Sequence, residues 1–194
     1  MRTVERHTLK LTGSTARVAV VADTHSRPHP NLSELLRSLK PDVILHAGDI
    51  GDLTVLDTLA AIAPLHVVRG NIDGRDDGLP DSLRLDIVAG ADRLLTIYMT
   101  HIAVYGPRLN KQSREWAQRH SADLVVCGHS HVPLLLRDRG IPVFNPGSCG
   151  PRRFALPILF GTMELSDSGT RFQHIDCETG QPWRPDAGLA NQSP

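Results

Sequence analysis

Two histidines one residue apart, His129 and His131, follow the apolar run Leu124-Val125-Val126-Cys127 and a glycine. Histidine is the commonest metal ligand among side chains, and the exit of a buried strand is where α/β sheets present their chemistry. The same arrangement, an apolar run that delivers Asp, His or Asn at its end, occurs five times along the chain. Arg17 to Val21 leads to Asp23 and His25, and Asp42 to Leu45 leads to His46 and Gly48-Asp49. Leu65 to Val68 leads to Gly70-Asn71 and Asp73, and Leu94 to Met99 leads to Thr100-His101. Together Asp23, His25, Asp49, Asn71, His101, His129 and His131 offer two carboxylates, one amide oxygen and four imidazoles. One tetrahedral or octahedral ion cannot use all of them. With one carboxylate shared, seven ligands suit two divalent cations about 3.5–4 Å apart, an arrangement that activates a water and clamps the oxygens of an in-line phosphoryl displacement. Nitrogen and oxygen donors without thiolate favour manganese, iron, zinc, cobalt or nickel over copper(I) or calcium.

Each motif alone has a plainer explanation. Asp23 and His25 would serve as a helix-entry cap and a core histidine, and Asp49 and Asn71 as turn residues after glycine. Only their joint occurrence in chain order favours metal. His46 either donates to a ligand carboxylate or is an ordinary buried histidine. His7, His29, His66, His120 and His174 lack a partner pattern and read as structural or exposed.

The elements that position these residues are legible in the spacing. Residues 17–22, 43–46 and 65–68 read as buried strands. Leu32, Leu35, Leu36 and Leu39 repeat at a helical period before Pro41, and Leu53, Leu56, Leu59 and Ala60 do so before Pro64. The result is β-α-β-α-β, hence parallel strands with helices on the sheet faces. Residues 73–81, rich in Asp and Gly, do not fit a calcium-loop spacing and read as a solvated loop. Residues 82–88 and 93–99 predict a hairpin, 109–120 a polar helix anchored by Trp116, and 124–127 a strand. Two further hairpins follow at 132–136 with 141–144 and at 158–165 with 171–176. The expected architecture is two packed mixed sheets with helices outside, as one domain over 17–177. Residues 1–16 read as an extension that adds an edge strand or stays partly disordered, and 178–194 as a flexible tail.

The chain has 194 residues, 40% of them hydrophobic and 22% charged, with zero formal net charge, an ordinary globular profile. Neutral charge and few aromatics weigh against a nucleic-acid partner. No apolar stretch approaches a membrane span. Residues 1–10 lack the apolar core of a secretory signal, so the expected location is cytoplasmic. Three cysteines without close pairing argue against a disulfide framework and a thiolate zinc site. Cys127 reads as a small buried hydrophobe, and so does Cys149, although it lies in a loop near the site.

Asp23-x-His25, Gly48-Asp49, Gly70-Asn71, His101 and Gly128-His129-x-His131, in this order, resemble the calcineurin-like metallophosphoesterase superfamily. The short length and the late Asn145-Pro146-Gly147-Ser148 resemble its compact single-domain bacterial and archaeal phosphodiesterase branch. The resemblance spans about Arg17 to Arg153. It implies a four-layer α/β/β/α sandwich. It also implies a first metal on Asp23, His25 and His131, and a second on Asn71, His101 and His129. Asp49 would bridge the two, and a bridging hydroxide would attack phosphorus. Asp49 and Asn71 are thus the implied catalytic residues, manganese the preferred metal, and a small phosphodiester the implied substrate. A homo-oligomer is compatible with this reading.

Two departures stand out. Many relatives carry a histidine after the Gly-Asn pair, taken as the acid that protonates the leaving group, where this chain has Ile72. The compact branch also tends to lack it. Relatives usually have Gly after the ligand histidine, where this chain has Ile102. Substrate contacts are expected from Ser148 or its loop, and from Arg152 or Arg153, against turn and surface alternatives; Arg152 is favoured. Two rival readings are a non-catalytic scaffold, since a eukaryotic retromer subunit resembles this fold without a complete site, and a nuclease or phosphomonoesterase.

Overall fold

The computed structural model describes residues 4–153, 155–166 and 168–184. In chain order the elements are β1 (Glu5–Leu11), β2 (Ala16–Val21), α1 (Leu32–Leu39), β3 (Val43–His46), α2 (Thr54–Ala60), β4 (Leu65–Val67), β5 (Ser82–Ala89) and β6 (Asp92–Thr100). They continue with β7 (Val104–Tyr105), β8 (Arg108–Leu109), α3 (Lys111–Arg119), β9 (Leu124–Val126), β10 (Leu134–Asp138), β11 (Ile141–Asn145), β12 (Leu159–Ser166), β13 (Gly169–Asp176) and β14 (Pro182–Trp183).

Two six-stranded sheets form, in the orders β1-β5-β6-β9-β11-β10 and β14-β13-β12-β2-β3-β4. Both are mixed: β2-β3-β4 and β6-β9-β11 run parallel, while hairpins bring antiparallel neighbours. Alternation along a strand sends successive side chains to opposite faces. Val18, Val20, Val43 and Leu45 of one sheet therefore meet Leu83, Leu85, Ile97, Met99 and Val126 of the other in a central core. The opposite face of the second sheet, with Ala19, Val21 and Ile44, packs on Leu32 and Leu36 of α1 and Val55 and Leu59 of α2. The outer face of the first sheet, with Tyr98, Val125 and Val143, packs on Ala117 and Trp116 of α3. Three apolar interfaces separate four layers, helix, sheet, sheet and helix. Burial on both faces explains why the strand sequences are continuous apolar runs rather than alternating ones.

Boundaries shift where local chemistry decides. The polar helix begins at Lys111 because the Asn110 side chain accepts the Ser113 N–H at 2.8 Å and caps it; Leu109 goes to the short hairpin β7–β8. The N-terminal stretch supplies an edge strand, β1, parallel to β5. There His7 Nδ1 lies 2.7 Å from His66 Nδ1 of β4, tying the edge of one sheet to the edge of the other. The tail expected from residue 178 instead turns back: Gln181 O accepts from Asp176 N, and β14 pairs with β13. Residues 185–194 lie outside the described residues. Among the described residues no helix is long and apolar enough to cross a membrane.

Candidate metal centre

The five strand exits named above converge. Asp23 and His25 follow β2, Asp49 follows β3, Asn71 follows β4, His101 follows β6, and His129 and His131 follow β9. Six of these seven residues form two trios of metal-type donors, Asp23-His25-His131 and Asp49-His101-His129, with the donor atoms of each trio within 4.8 Å of one another. Each trio draws on both sheets, so the site exists only when the central core is packed.

Five of the ligand-type residues sit in the left-handed backbone region: Asp23, His25, Asp49, His129 and His131, at φ of 46–70°. Such conformations cost non-glycine residues about 1 kcal/mol or more each and persist only where surroundings impose them. A lattice of hydrogen bonds does so. Asp23 N donates to Gly48 O at 2.9 Å, His25 N to Asp49 O at 3.0 Å, and Gly128 N to His101 O at 3.0 Å. His129 N donates to the Asp23 carboxylate at 3.1–3.2 Å. Close approach is built in as well: a Cβ on Gly70 would fall 2.0 Å from Asp49 N, so only glycine lets the two loops meet.

Asp49 stands between the trios. Its Oδ1 is 3.2 Å from His101 Nε2 and its Oδ2 is 3.7 Å from His25 Nε2. Asn71 N and Ile72 N also donate to Oδ1, at 2.5 and 3.2 Å. Burial alone would raise the Asp49 pKa, but the His101 imidazole and these two N–H groups outweigh it and hold the group well below the usual carboxylate range. Asp23 goes the other way: burial, helped by the Asp49 charge, pushes it up to about 7 against the pull of His101, the His129 N–H and Arg153. The imidazoles of His25, His129 and His131 are depressed, in each case mainly by burial, with His131 down to about 4. Each of these shifts favours the neutral imidazole, the form that binds metal.

The donor set fits divalent cations on its own geometry. His101 Nδ1 lies 2.7 Å from Ala47 O, which only accepts, so Nδ1 carries a hydrogen and Nε2 is the nitrogen turned to Asp49. Burial works against a proton on Nε2, but Asp49 and Asp23 raise the His101 pKa, a negative environment that would equally favour a cation at that nitrogen. His101 Nε2 and His131 Nδ1 are buried with no hydrogen-bond partner among the described residues. His25 Nε2 and His131 Nε2 face each other at 3.3 Å. Imidazole nitrogens left without hydrogen-bond partners beside buried carboxylates are costly alone and favourable around a cation.

Asn71 is exposed, lines the same cavity as His101, and is tied to Asp49 through its backbone N–H. Two substrate-contact expectations are corrected. Ser148 is buried, and its hydroxyl donates to Asp23 O at 3.0 Å, so it braces the ligand loop instead of facing phosphate. Arg152 is captured by an ion pair with Glu178 and donates to Leu156 O. Its neighbour Arg153, the less favoured of the two on sequence, reaches the site, with its guanidinium 3.3 Å from His25 Nε2. Cys149 is buried against Ala22 O, and burial pushes its thiol up to about 12, so it stays protonated.

Two braces escaped the sequence reading. Asp73, placed there in a solvated loop, is 6% exposed and accepts three N–H groups, Ile50 and Gly51 at 2.9 Å and Gly70 at 2.7 Å. One carboxylate thus binds the Asp49 loop to the Asn71 loop. The available signal was its position three residues after Gly70, in a loop that must meet Gly48-Asp49. The second brace is Thr24, whose hydroxyl donates to Ile50 O and lies 3.0 Å from His46 Nε2.

His46 does not touch a ligand carboxylate. Its Nδ1 accepts the Gly48 N–H at 3.2 Å and its Nε2 meets Thr24, which makes it a neutral crosslink under the loop. Burial lowers its pKa from 6.5 to about 4. A base with a depressed folded pKa contributes stability that is complete above 6.5 and lost as pH falls towards 4, because the unfolded chain protonates first. Over that window the metal-free protein should lose about 3 kcal/mol through this group. Urea unfolding of wild type and His46→Gln at pH 7.5 and pH 4.5 measures it. Identical pH slopes in the two proteins would rule out this role.

A family profile for the calcineurin-like phosphoesterase superfamily domain matches residues 17–168, which contain every residue of both trios. The chain belongs to this superfamily. Among its curated superfamily relatives is a probable metallophosphoesterase of Methanocaldococcus jannaschii, 31% identical over 147 residues, covering 73% of this chain and 72% of the relative. Two solved structures share the fold. A conserved Streptococcus pneumoniae protein described as a predicted phosphoesterase superposes with a TM-score of 0.66 at 23% identity, covering 89% of this chain and 95% of that one. Vacuolar Protein Sorting 29 from Cryptosporidium parvum gives 0.70 at 19% identity, covering 88% and 96%. The superfamily uses divalent metals, and the two trios are where this member can hold them.

Proposed function

We propose that the protein hydrolyses small phosphodiesters with two divalent cations, manganese preferred. Asp23, His25 and His131 would hold one cation, His101, His129 and Asn71 the other, and Asp49 would be shared. The single observation that supports the shared site is the Asp49 carboxylate, one oxygen towards His101 at 3.2 Å and the other towards His25 at 3.7 Å. Cations bound there supply Lewis acidity to the phosphoryl oxygens and an activated water.

The chain's own residues do the rest. Asn71 N and Ile72 N orient Asp49 by hydrogen bonds to one oxygen. Arg153, beside His25, offers a guanidinium to a phosphoryl oxygen, a pairing favoured by its planar donors. Ile72, 51% exposed, occupies the position where many relatives carry a proton-donating histidine. It cannot transfer a proton, and general acid catalysis is worth about 10²–10⁴-fold. Turnover should therefore depend steeply on leaving-group quality. The zero net charge agrees with a small substrate rather than nucleic acid, and a cytoplasmic setting belongs to the same reading.

A scaffold role is the second reading, favoured by the fold shared with Vacuolar Protein Sorting 29. Manganese-loaded protein assayed on bis(4-nitrophenyl) phosphate, 4-nitrophenyl phosphate, cyclic nucleotides and short oligonucleotides separates the alternatives. We expect the activated diester to be cleaved fastest and EDTA to stop it. Protein that purifies without stoichiometric metal and turns over nothing would be a scaffold.

A further inference from the structure

A cavity of about 410 Å³ opens directly beside His101 and Asn71. That volume is in the range of small-molecule sites and leaves room beyond a single phosphate. Its walls are rich in hydrogen-bond donors: Arg69, Arg75, Thr100, Gln112 and Ser113. The carboxylate in the lining, Asp81, is engaged by Arg69 in an ion pair, and Thr100 Oγ1 donates to Asp81 O at 3.2 Å. Arg69 is therefore fixed and its charge balanced. Arg75 differs. It opens the 3₁₀ turn Arg75–Asp77, it is exposed, and it has no ion-pair partner among the described residues. The nearby Asp77 carboxylate is turned to its own backbone, accepting Gly74 N at 2.7 Å. The cavity thus presents one uncompensated cation within a donor-rich wall.

We propose that this cavity receives the organic substituent of the phosphoester, and that Arg75 selects substituents bearing a second anionic group, a phosphate or a carboxylate. The assignment rests on the phosphoesterase reading for the position of the first phosphate. A guanidinium pairs with either oxyanion through charge-assisted hydrogen bonds. Gln112 and Ser113 add neutral donors for the intervening polar atoms.

The test compares ligands that differ only in that group. Calorimetric titration of manganese-loaded protein with thymidine 5′-monophosphate, thymidine 3′,5′-bisphosphate and 3′-O-succinylthymidine 5′-monophosphate gives three Kd values. We expect the bisphosphate or the succinate to bind about tenfold tighter than the monophosphate; the larger gain identifies the oxyanion. The ratio should fall below about twofold in Arg75→Ala and recover in part in Arg75→Lys. A ratio near one in wild type, or one that survives in Arg75→Ala, overturns the proposal. Hydrolysis of thymidine 5′-(4-nitrophenyl phosphate) is read separately. No turnover with the binding ratio intact would sink the hydrolase reading and leave the pocket assignment standing.

Discussion

Asp49→Asn should lower kcat/KM on an activated phosphodiester by at least about 10³-fold while leaving the fold intact. The substitution keeps the side-chain shape and one oxygen for Asn71 N. It removes the charge and replaces the second oxygen with an amide NH₂. That oxygen is the one 3.7 Å from His25 Nε2, so the change breaks the link between the trios rather than one trio alone. The group is held ionised by His101 and two backbone N–H groups, so the wild-type protein has the full charge at neutral pH. Metal content should fall together with turnover, while circular dichroism and the urea midpoint should change little. Activity within tenfold of wild type would show that Asp49 is not the shared ligand.

Asp73→Ala should destabilise the metal-free protein by about 4 kcal/mol. Three N–H groups, those of Ile50, Gly51 and Gly70, would lose their acceptor. Hydrogen bonds to a charged acceptor are worth about 1.5–3 kcal/mol each, and a donor stranded in the interior costs about 1–3 kcal/mol. Partial hydration of the exposed Asn71 loop offsets part of the sum. Asp73→Asn, which keeps one oxygen, should fall between. The comparison that isolates a positioning role is metal affinity, which should weaken in both variants although neither residue is a ligand. Equilibrium urea unfolding with chelator present checks the first statement, and a loss below about 1 kcal/mol would contradict it.

The parts of this molecule readable in its sequence are those with a strict period or a donor-type side chain at a strand exit. Buried strands such as Val18–Val21 and Val43–His46 are continuous apolar runs because both sheet faces are covered. Helix α1 follows its leucine spacing. The six donors of the two trios were legible because each follows such a run. The braces were not. Asp73 resembles its solvent-facing neighbours Asp76 and Asp77, and only the three-dimensional meeting of two loops buries it. Ser148 and Arg152 were misread for a related reason, since their partners, Asp23 O and Glu178, lie 125 and 26 residues away. For His46 the sequence left a carboxylate partner and an ordinary buried histidine both open, and the structure takes the second, its ring being used by Gly48 and Thr24. Strand β14 was hidden because Pro182–Trp183 is too short to carry a period.

The most direct measurement is anomalous diffraction from a crystal of the protein loaded with manganese. The account predicts two peaks about 3.5–4 Å apart, one among Asp23, His25 and His131, the other among His101, His129 and Asn71, with the Asp49 carboxylate touching both. A single peak, no peak, or an Asp49 side chain turned away from the space between the trios would contradict it.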